Sequence, residues 1–241
     1  ADQTPIAPGY VRADVVKDGR RTVRFVSDAP INHFFSIQSA KYAIASEKWR
    51  NVDLAVYHHP AHAWNVQRML QAMKTSLEVF TERFSPYQFR QARIQEFPAY
   101  GNFAQSFANT IPYSENIGFV STLADDDKID MVTYVTAHEI GHQWWAHQVI
   151  GGDVQGSTLL SESLSQYSSL MVMKRQYGDA RMKRFLHYEL DRYLIGRSFE
   201  KKKLPLMRVE NQPYVHYSKG SLALYALQDY LGEDAVNRAL S

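Results

Sequence analysis

Residues 138–142 read His138-Glu139-Ile140-Gly141-His142, and Glu162 follows 20 positions after His142. On a helix, residues four apart stand one turn apart on one face, so both imidazoles can reach a single metal ion. A carboxylate from a second helix completes three protein ligands and leaves a fourth position open for water. That is the pattern of a catalytic zinc ion rather than a structural one. Zinc would polarise a carbonyl and acidify its bound water. Glu139, one residue after a ligand, would project towards that water as general base and return the proton to a leaving amine.

H-E-x-x-H fixes only three residues, and a surface helix with two solvated histidines would also satisfy it. The flanks Tyr134-Val135-Thr136-Ala137 and Gln143-Trp144-Trp145-Ala146 instead describe an apolar, buried helix, which does not carry two histidines and a carboxylate without a use for them. Glu162 likewise sits beside Leu159, Leu160 and Leu164, where an unpaired carboxylate is costly. An oxyanion donor is also required. The candidate is Tyr217, one of 15 tyrosines and weak evidence by itself.

Three blocks taken in order, His138-Glu139-Ile140-Gly141-His142-Gln143-Trp144-Trp145, Leu160-Ser161-Glu162 and Tyr217-Ser218-Lys219-Gly220, resemble the aminopeptidase-N-like family of gluzincin metallopeptidases. Ser114-Glu115-Asn116-Ile117-Gly118-Phe119 resembles that family's exopeptidase motif, Gly-x-Met-Glu-Asn. The resemblance covers residues 50–240. It implies one Zn2+ held by His138, His142 and Glu162, with Glu139 as base and Tyr217 as transition-state stabiliser. Glu115 and Asn116 would contact a peptide substrate, Glu115 through its free α-amine. It also implies a thermolysin-like α+β fold, with a small mixed-sheet lobe and a helical lobe. A remnant of a preceding β-rich domain would occupy residues 1–45, with the catalytic domain over 46–241, divided into lobes at 46–123 and 124–241.

The sequence departs from the family at three places. Pro112-Tyr113-Ser114 replaces the Gly-x-Met, Ser161-Glu162-Ser163 replaces an Asn-Glu-Gly, and the interval from His142 to Glu162 is one residue longer than usual, with Gly151-Gly152 as the place of insertion. No chemical group is lost, but specificity is opened. A zinc endopeptidase or small-peptide hydrolase stands beside the aminopeptidase reading, and so does a non-catalytic peptide-binding module of a transporter. The departures are closer to a divergent bacterial branch in which such a domain is fused to transporter-permease-like segments, which would make the parent protein membrane-associated.

Bulk properties exclude little else. With 45% apolar and 22% charged residues, the composition is that of an ordinary globular protein. A net charge of +2 gives no basic stripe and no nucleic-acid partner. There is no cysteine, so thiolate metal sites are excluded. No apolar run reaches the ~20 residues of a membrane span. The chain begins at Ala1, not Met, as a processed or excised piece of a longer protein would. Oligomeric state is not legible.

The elements that must position these groups follow from periodicity. Residues 1–10 read as Pro-rich and poorly ordered. A hairpin is expected around Asp18-Gly19, a strand over 34–42, and strands over 52–57, 92–97 and 118–123. The apolar stripe Val66, Met69, Leu70, Met73, Leu77 and Phe80 predicts a long helix over 65–84. Further helices are expected over 130–148, 158–177, 180–194 and 218–231, with Asp125-Asp126-Asp127 capping the first. His58, His59 and His62 form a second histidine group on a Pro-containing turn with no companion carboxylate motif, and read as a loop cluster.

Overall fold

The computed structural model describes residues 1–123, 129–200 and 202–241. The chain forms two compact units, one of residues 1–71 with 89–122 and one of residues 72–88 with 123–241. The class is α+β, as expected.

The first unit carries the sheets. Strands β1 (Thr4–Ile6), β2 (Tyr10–Lys17), β3 (Arg20–Val26) and β4 (Gln38–Ala40) form two antiparallel pairs, β1 with β4 and β2 with β3. The β2–β3 hairpin turns on Asp18 (φ 49°) and Gly19 (φ 74°), two consecutive left-handed residues that suit the twist of the flanking strands. The first ten residues, expected to be loose, are anchored. Ile6 is buried, and buried Arg93 donates to the carbonyls of Ala7 and Gly9 at 2.6 and 3.1 Å. The strand expected over 34–42 shortens to β4, which pairs with β1.

A four-stranded sheet follows in the order β5 (Ala43–Trp49), β6 (Val52–His58), β7 (Gln91–Phe97) and β8 (Thr110–Ser114). β5 and β6 form an antiparallel hairpin, while β6, β7 and β8 are parallel neighbours. Their C-terminal ends therefore lie along one edge. Helix α1 (Val66–Arg83) is the crossover that parallel β6 and β7 require. The strand expected over 118–123 is a turn. Gly118 N–H bonds back to Ser114 O and Val120 N–H to Glu115 O, and Asn65 holds the carbonyls of Gly118 and Ser121 at 2.7 and 2.9 Å. Gly118 is obligatory there, since a Cβ would meet the Tyr113 ring at 2.4 Å.

The second unit is helical: α2 (Met131–Gly141), α3 (Leu164–Tyr177), α4 (Asp179–Ser198), α5 (Gly220–Leu231) and α6 (Glu233–Leu240). Its core packs Phe80 of α1, and Phe84 directly after that helix, against Trp144 and Trp145, with ring centroids 5.4 and 4.9 Å apart. The acidic run expected to cap α2 lies outside the described residues. The cap observed is Asp130, whose carboxylate accepts from Thr133 N–H at 3.0 Å, Thr133 Oγ1 at 2.6 Å and Tyr177 O–H at 2.7 Å. Asp130→Ala should cost about 2 kcal/mol, the upper end for a lost N-cap, because two further donors are orphaned with it. Urea unfolding of the two proteins checks the value.

Helix α2 ends at Gly141, seven residues earlier than expected. The two indoles that follow are the reason. Trp144 Nε1 donates to Ser85 O at 3.0 Å and Trp145 Nε1 to Ser168 Oγ at 2.9 Å, which turns the chain out of the helix directly after His142.

Candidate metal centre

His138 and His142 face one way from α2, both buried, with ring centroids 4.6 Å apart. Glu162 comes from a wide, π-type turn, Leu159–Ser163, that leads into α3. Its Oε2 lies 3.3 Å from His138 Nε2 and 3.4 Å from His142 Nε2. Two ligand atoms around a tetrahedral zinc ion, with bonds of about 2.0–2.1 Å, stand roughly 3.3–3.4 Å apart. The donor set, two imidazoles and a carboxylate, is also one that zinc favours. These residues fit the ion on both counts.

The tautomer of His142 fits as well. Its Nδ1 faces the Trp145 carbonyl at 3.2 Å and Ser165 Oγ at 3.0 Å. A carbonyl only accepts, so Nδ1 carries the hydrogen and Nε2 is turned to the cluster. Neither Trp145 O nor Ser165 was singled out from the sequence, where nothing marks a backbone carbonyl or a lone serine for this role. Gly141 brings the helices close enough, since a Cβ there would sit 3.2 Å from Ser165 Cα.

The charges are strongly coupled. Burial works against a charged His142, but the Glu162 carboxylate, with Glu139 behind it, outweighs burial and raises the imidazole to about 9. Burial acts to raise Glu162, and the two histidines overcome it, holding the acid well below the ordinary carboxylate range. A cation placed there would replace the proton that now offsets this carboxylate.

Glu139 is buried on α2 between the two histidines, and its charge is felt by both His142 and Tyr217. Tyr217 lies in a second π-type turn, Tyr214–Lys219, leading into α5. Its ring stacks obliquely 5.5 Å from that of His138. Burial, then the Glu162 carboxylate, then Glu139 push its phenol far up, so it stays an O–H donor. Wide turns of this kind expose groups that a regular helix would not, and they recur at functional sites. The two are tied together. Ser163 Oγ donates to the His216 carbonyl at 2.6 Å, and Gly220 permits the approach, since a Cβ there would lie 2.3 Å from that hydroxyl. Neither π-type turn was expected from the sequence.

Glu115 and Asn116 belong to the first unit, just beyond β8. Glu115 Oε1 accepts the Ala99 N–H at 2.8 Å, and Oε2 stands 3.7 Å from His62 Nδ1. Asn116 Nδ2 donates to Asn102 Oδ1 at 3.1 Å and its side chain is exposed. His62, read from the sequence as part of a loop cluster without a carboxylate, has two beside it, Glu96 at 2.5 Å and Glu115. No helix among the described residues is long and apolar enough to cross a membrane.

The model of the peptidase family M1 domain matches residues 68–241. Two crystal structures of an M1 zinc metallopeptidase from Deinococcus radiodurans, one of them a point mutant, superpose on this chain with a TM-score of 0.75 at 19% identity. They cover 99% and 100% of the chain, which spans only 53% of theirs. No curated protein matches. The match to well over half the residues, together with the shared α+β fold of small sheets and a helical lobe, places the chain: it belongs to peptidase family M1, the zinc metallopeptidases of the aminopeptidase-N-like gluzincin kind.

Proposed function

We propose that this chain is the catalytic domain of a zinc-dependent aminopeptidase, which removes N-terminal residues from peptides by hydrolysis. The observation that carries the reading is the convergence of His138, His142 and Glu162, with ligand atoms all within 4.8 Å of one another, beside Glu139 and Tyr217. The three would hold one zinc ion. Bound there, the ion supplies Lewis-acid chemistry, polarising the scissile carbonyl and making water a nucleophile near neutral pH.

The chain's own residues do the rest. Glu139 takes the proton from the attacking water and passes it to the departing amine. Tyr217 donates its phenolic hydrogen to the oxygen that gains charge as the carbonyl is attacked. Glu115 pairs with the free α-ammonium of the substrate, which fixes the first peptide bond as the one cut. Residues 1–45 are the end of a preceding β-rich domain, with the lobes of the catalytic domain over 46–123 and 124–241.

Tyr217→Phe removes one donor and nothing else. It should lower kcat about 10²-fold while metal content and KM stay near those of the parent protein. Steady-state kinetics with metal analysis checks this, and an unchanged kcat takes Tyr217 out of the chemistry. The exopeptidase assignment is tested with fluorogenic aminoacyl amides alongside their N-acetylated forms, with and without chelator. Chelator-sensitive cleavage confined to the free amines is expected. Cleavage of the blocked series would make the protein an endopeptidase, and silence on both in a zinc-loaded protein would favour a peptide-binding module.

A further inference from the structure

One fully buried carboxylate of the helical unit has no part in the hydrolytic steps above. Glu189, midway along α4, is 0% exposed. Its Oε1 accepts the Tyr134 O–H at 2.7 Å and a Gln166 side-chain N–H at 2.8 Å. Gln166 Nε2 also donates to the Tyr134 oxygen at 3.0 Å. The three groups close a triangle in which the phenolic hydrogen and both amide hydrogens are used. Burial, and then the Glu189 carboxylate, push the Tyr134 phenol well up, so it remains a donor.

The triangle sits behind the metal ligands on two elements at once. Tyr134 precedes His138 by four residues on α2 and shares its face, and Gln166 follows Glu162 by four, in the first turn of α3. Glu189 is therefore bonded to a near neighbour of a ligand on each side, and comes from a third helix. The same face of α4 continues to the turn that carries Tyr217. Tyr193, four residues on, stacks on Tyr214 with ring centroids 6.2 Å apart, and a Cβ on Gly196 would meet Tyr214 Cβ at 2.4 Å. A buried carboxylate is a poor device for stability alone. Glu189 gives up its hydration for two hydrogen bonds through Oε1, while Oε2, also buried, meets no donor among the described residues. An apolar residue of similar size would fill the place at no greater cost. What the carboxylate adds is direction, since two charge-assisted bonds fix where Tyr134 and Gln166 stand.

We infer that Glu189 is a positioning residue of the metal centre, which sets the separation of His138 on α2 from Glu162 ahead of α3 by holding Tyr134 and Gln166 to one oxygen. The inference rests on the reading that His138, His142 and Glu162 hold zinc, and adds to it a buried group outside the ligand set. The 3.3 Å between His138 Nε2 and Glu162 Oε2 leaves little latitude, because ligand atoms on one tetrahedral zinc ion stand roughly 3.3–3.4 Å apart. Groups that support the ligands from behind are typically worth about 10–100-fold in metal affinity or activity.

Zinc competition against a chromophoric chelator, with urea unfolding of the same metal-free preparations, tests it. Glu189→Leu fills the place with an apolar side chain of similar size and removes the acceptor. It should fold and bind zinc about 10-fold more weakly. Once saturated with zinc it should cleave a leucyl fluorogenic amide about 10-fold more slowly at little changed KM. Glu189→Gln keeps an acceptor oxygen and should recover most of the affinity. Tyr134→Phe should weaken zinc to a similar degree as Glu189→Leu, and the two together should cost little more, because both open the same triangle. Tyr167→Phe is the control for a lost buried bond on α3. Its O–H donates to Gln228 Oε1 at 2.6 Å, and its removal should lower the urea midpoint and leave zinc affinity alone. A folded Glu189→Leu protein with the parent's zinc affinity and kcat overturns the inference, as does equal weakening of zinc in Tyr167→Phe. Should Glu189→Leu fail to fold, Tyr134→Phe decides, and the parent's affinity in that variant overturns the inference by itself. A parent protein that binds no zinc overturns the metal reading, and the inference with it.

Discussion

Glu139→Gln is expected to keep its zinc and lose about 10²–10⁴-fold in kcat, the range a positioned general base contributes. The substitution is nearly isosteric. It occurs at a buried position on α2 between two residues whose backbone it does not disturb, so the ligands His138 and His142 stay in place. What goes is the one group able to take a proton from water there and return it to the departing amine. Because the amide cannot become a base, KM should move little while kcat falls. Kinetics on aminoacyl amides with metal analysis of the same preparation checks both halves. Turnover near that of the parent protein would end the assignment of Glu139 as base.

Glu162→Gln should do the opposite, sparing the base and losing the ion. A structural zinc site of four ligands is worth roughly 10–16 kcal/mol, or about 3–4 kcal/mol per ligand, so loss of the anionic one should weaken zinc binding roughly 10²–10³-fold. The turn that carries Glu162 has its own support in the Ser163 to His216 bond, so the variant should fold. Its activity should be lost at limiting zinc and return in part with excess. The pH dependence has a fixed sign. His142 in the metal-free protein holds its proton up to about 9, and zinc must displace that proton. Zinc affinity therefore rises with pH towards about 9 and falls on acidification. Competition against a chromophoric chelator at several pH values measures both effects. An affinity equal to that of the parent protein would remove Glu162 from the ligand set.

What the sequence revealed depended on range. His138 and His142 are a local pair, one helical turn apart, and need only the helix to meet. The α1 stripe and the Asp18-Gly19 turn were legible for the same reason, each set by spacing within a few residues. The end of α2 was not, because the two indoles that stop it bond to Ser85 and Ser168, some 59 and 23 residues away in the chain. The first ten residues looked loose because their anchor, Arg93, lies 84 and 86 residues away. The carboxylates beside His62 come from the ends of β7 and β8, 34 and 53 residues on, and only strand pairing brings them to it. The widened turns that present Glu162 and Tyr217 leave no periodic trace in segments of 5 and 6 residues.

The most direct test is a zinc titration of the metal-free protein, followed at once by bound metal and by cleavage of a leucyl fluorogenic amide. Activity should be absent at the start, rise in proportion to zinc and level off at one equivalent. A His138→Ala, His142→Ala double variant should show neither tight binding nor cleavage. Cleavage by the metal-free protein, or one equivalent bound with undiminished affinity by the double variant, would contradict the account.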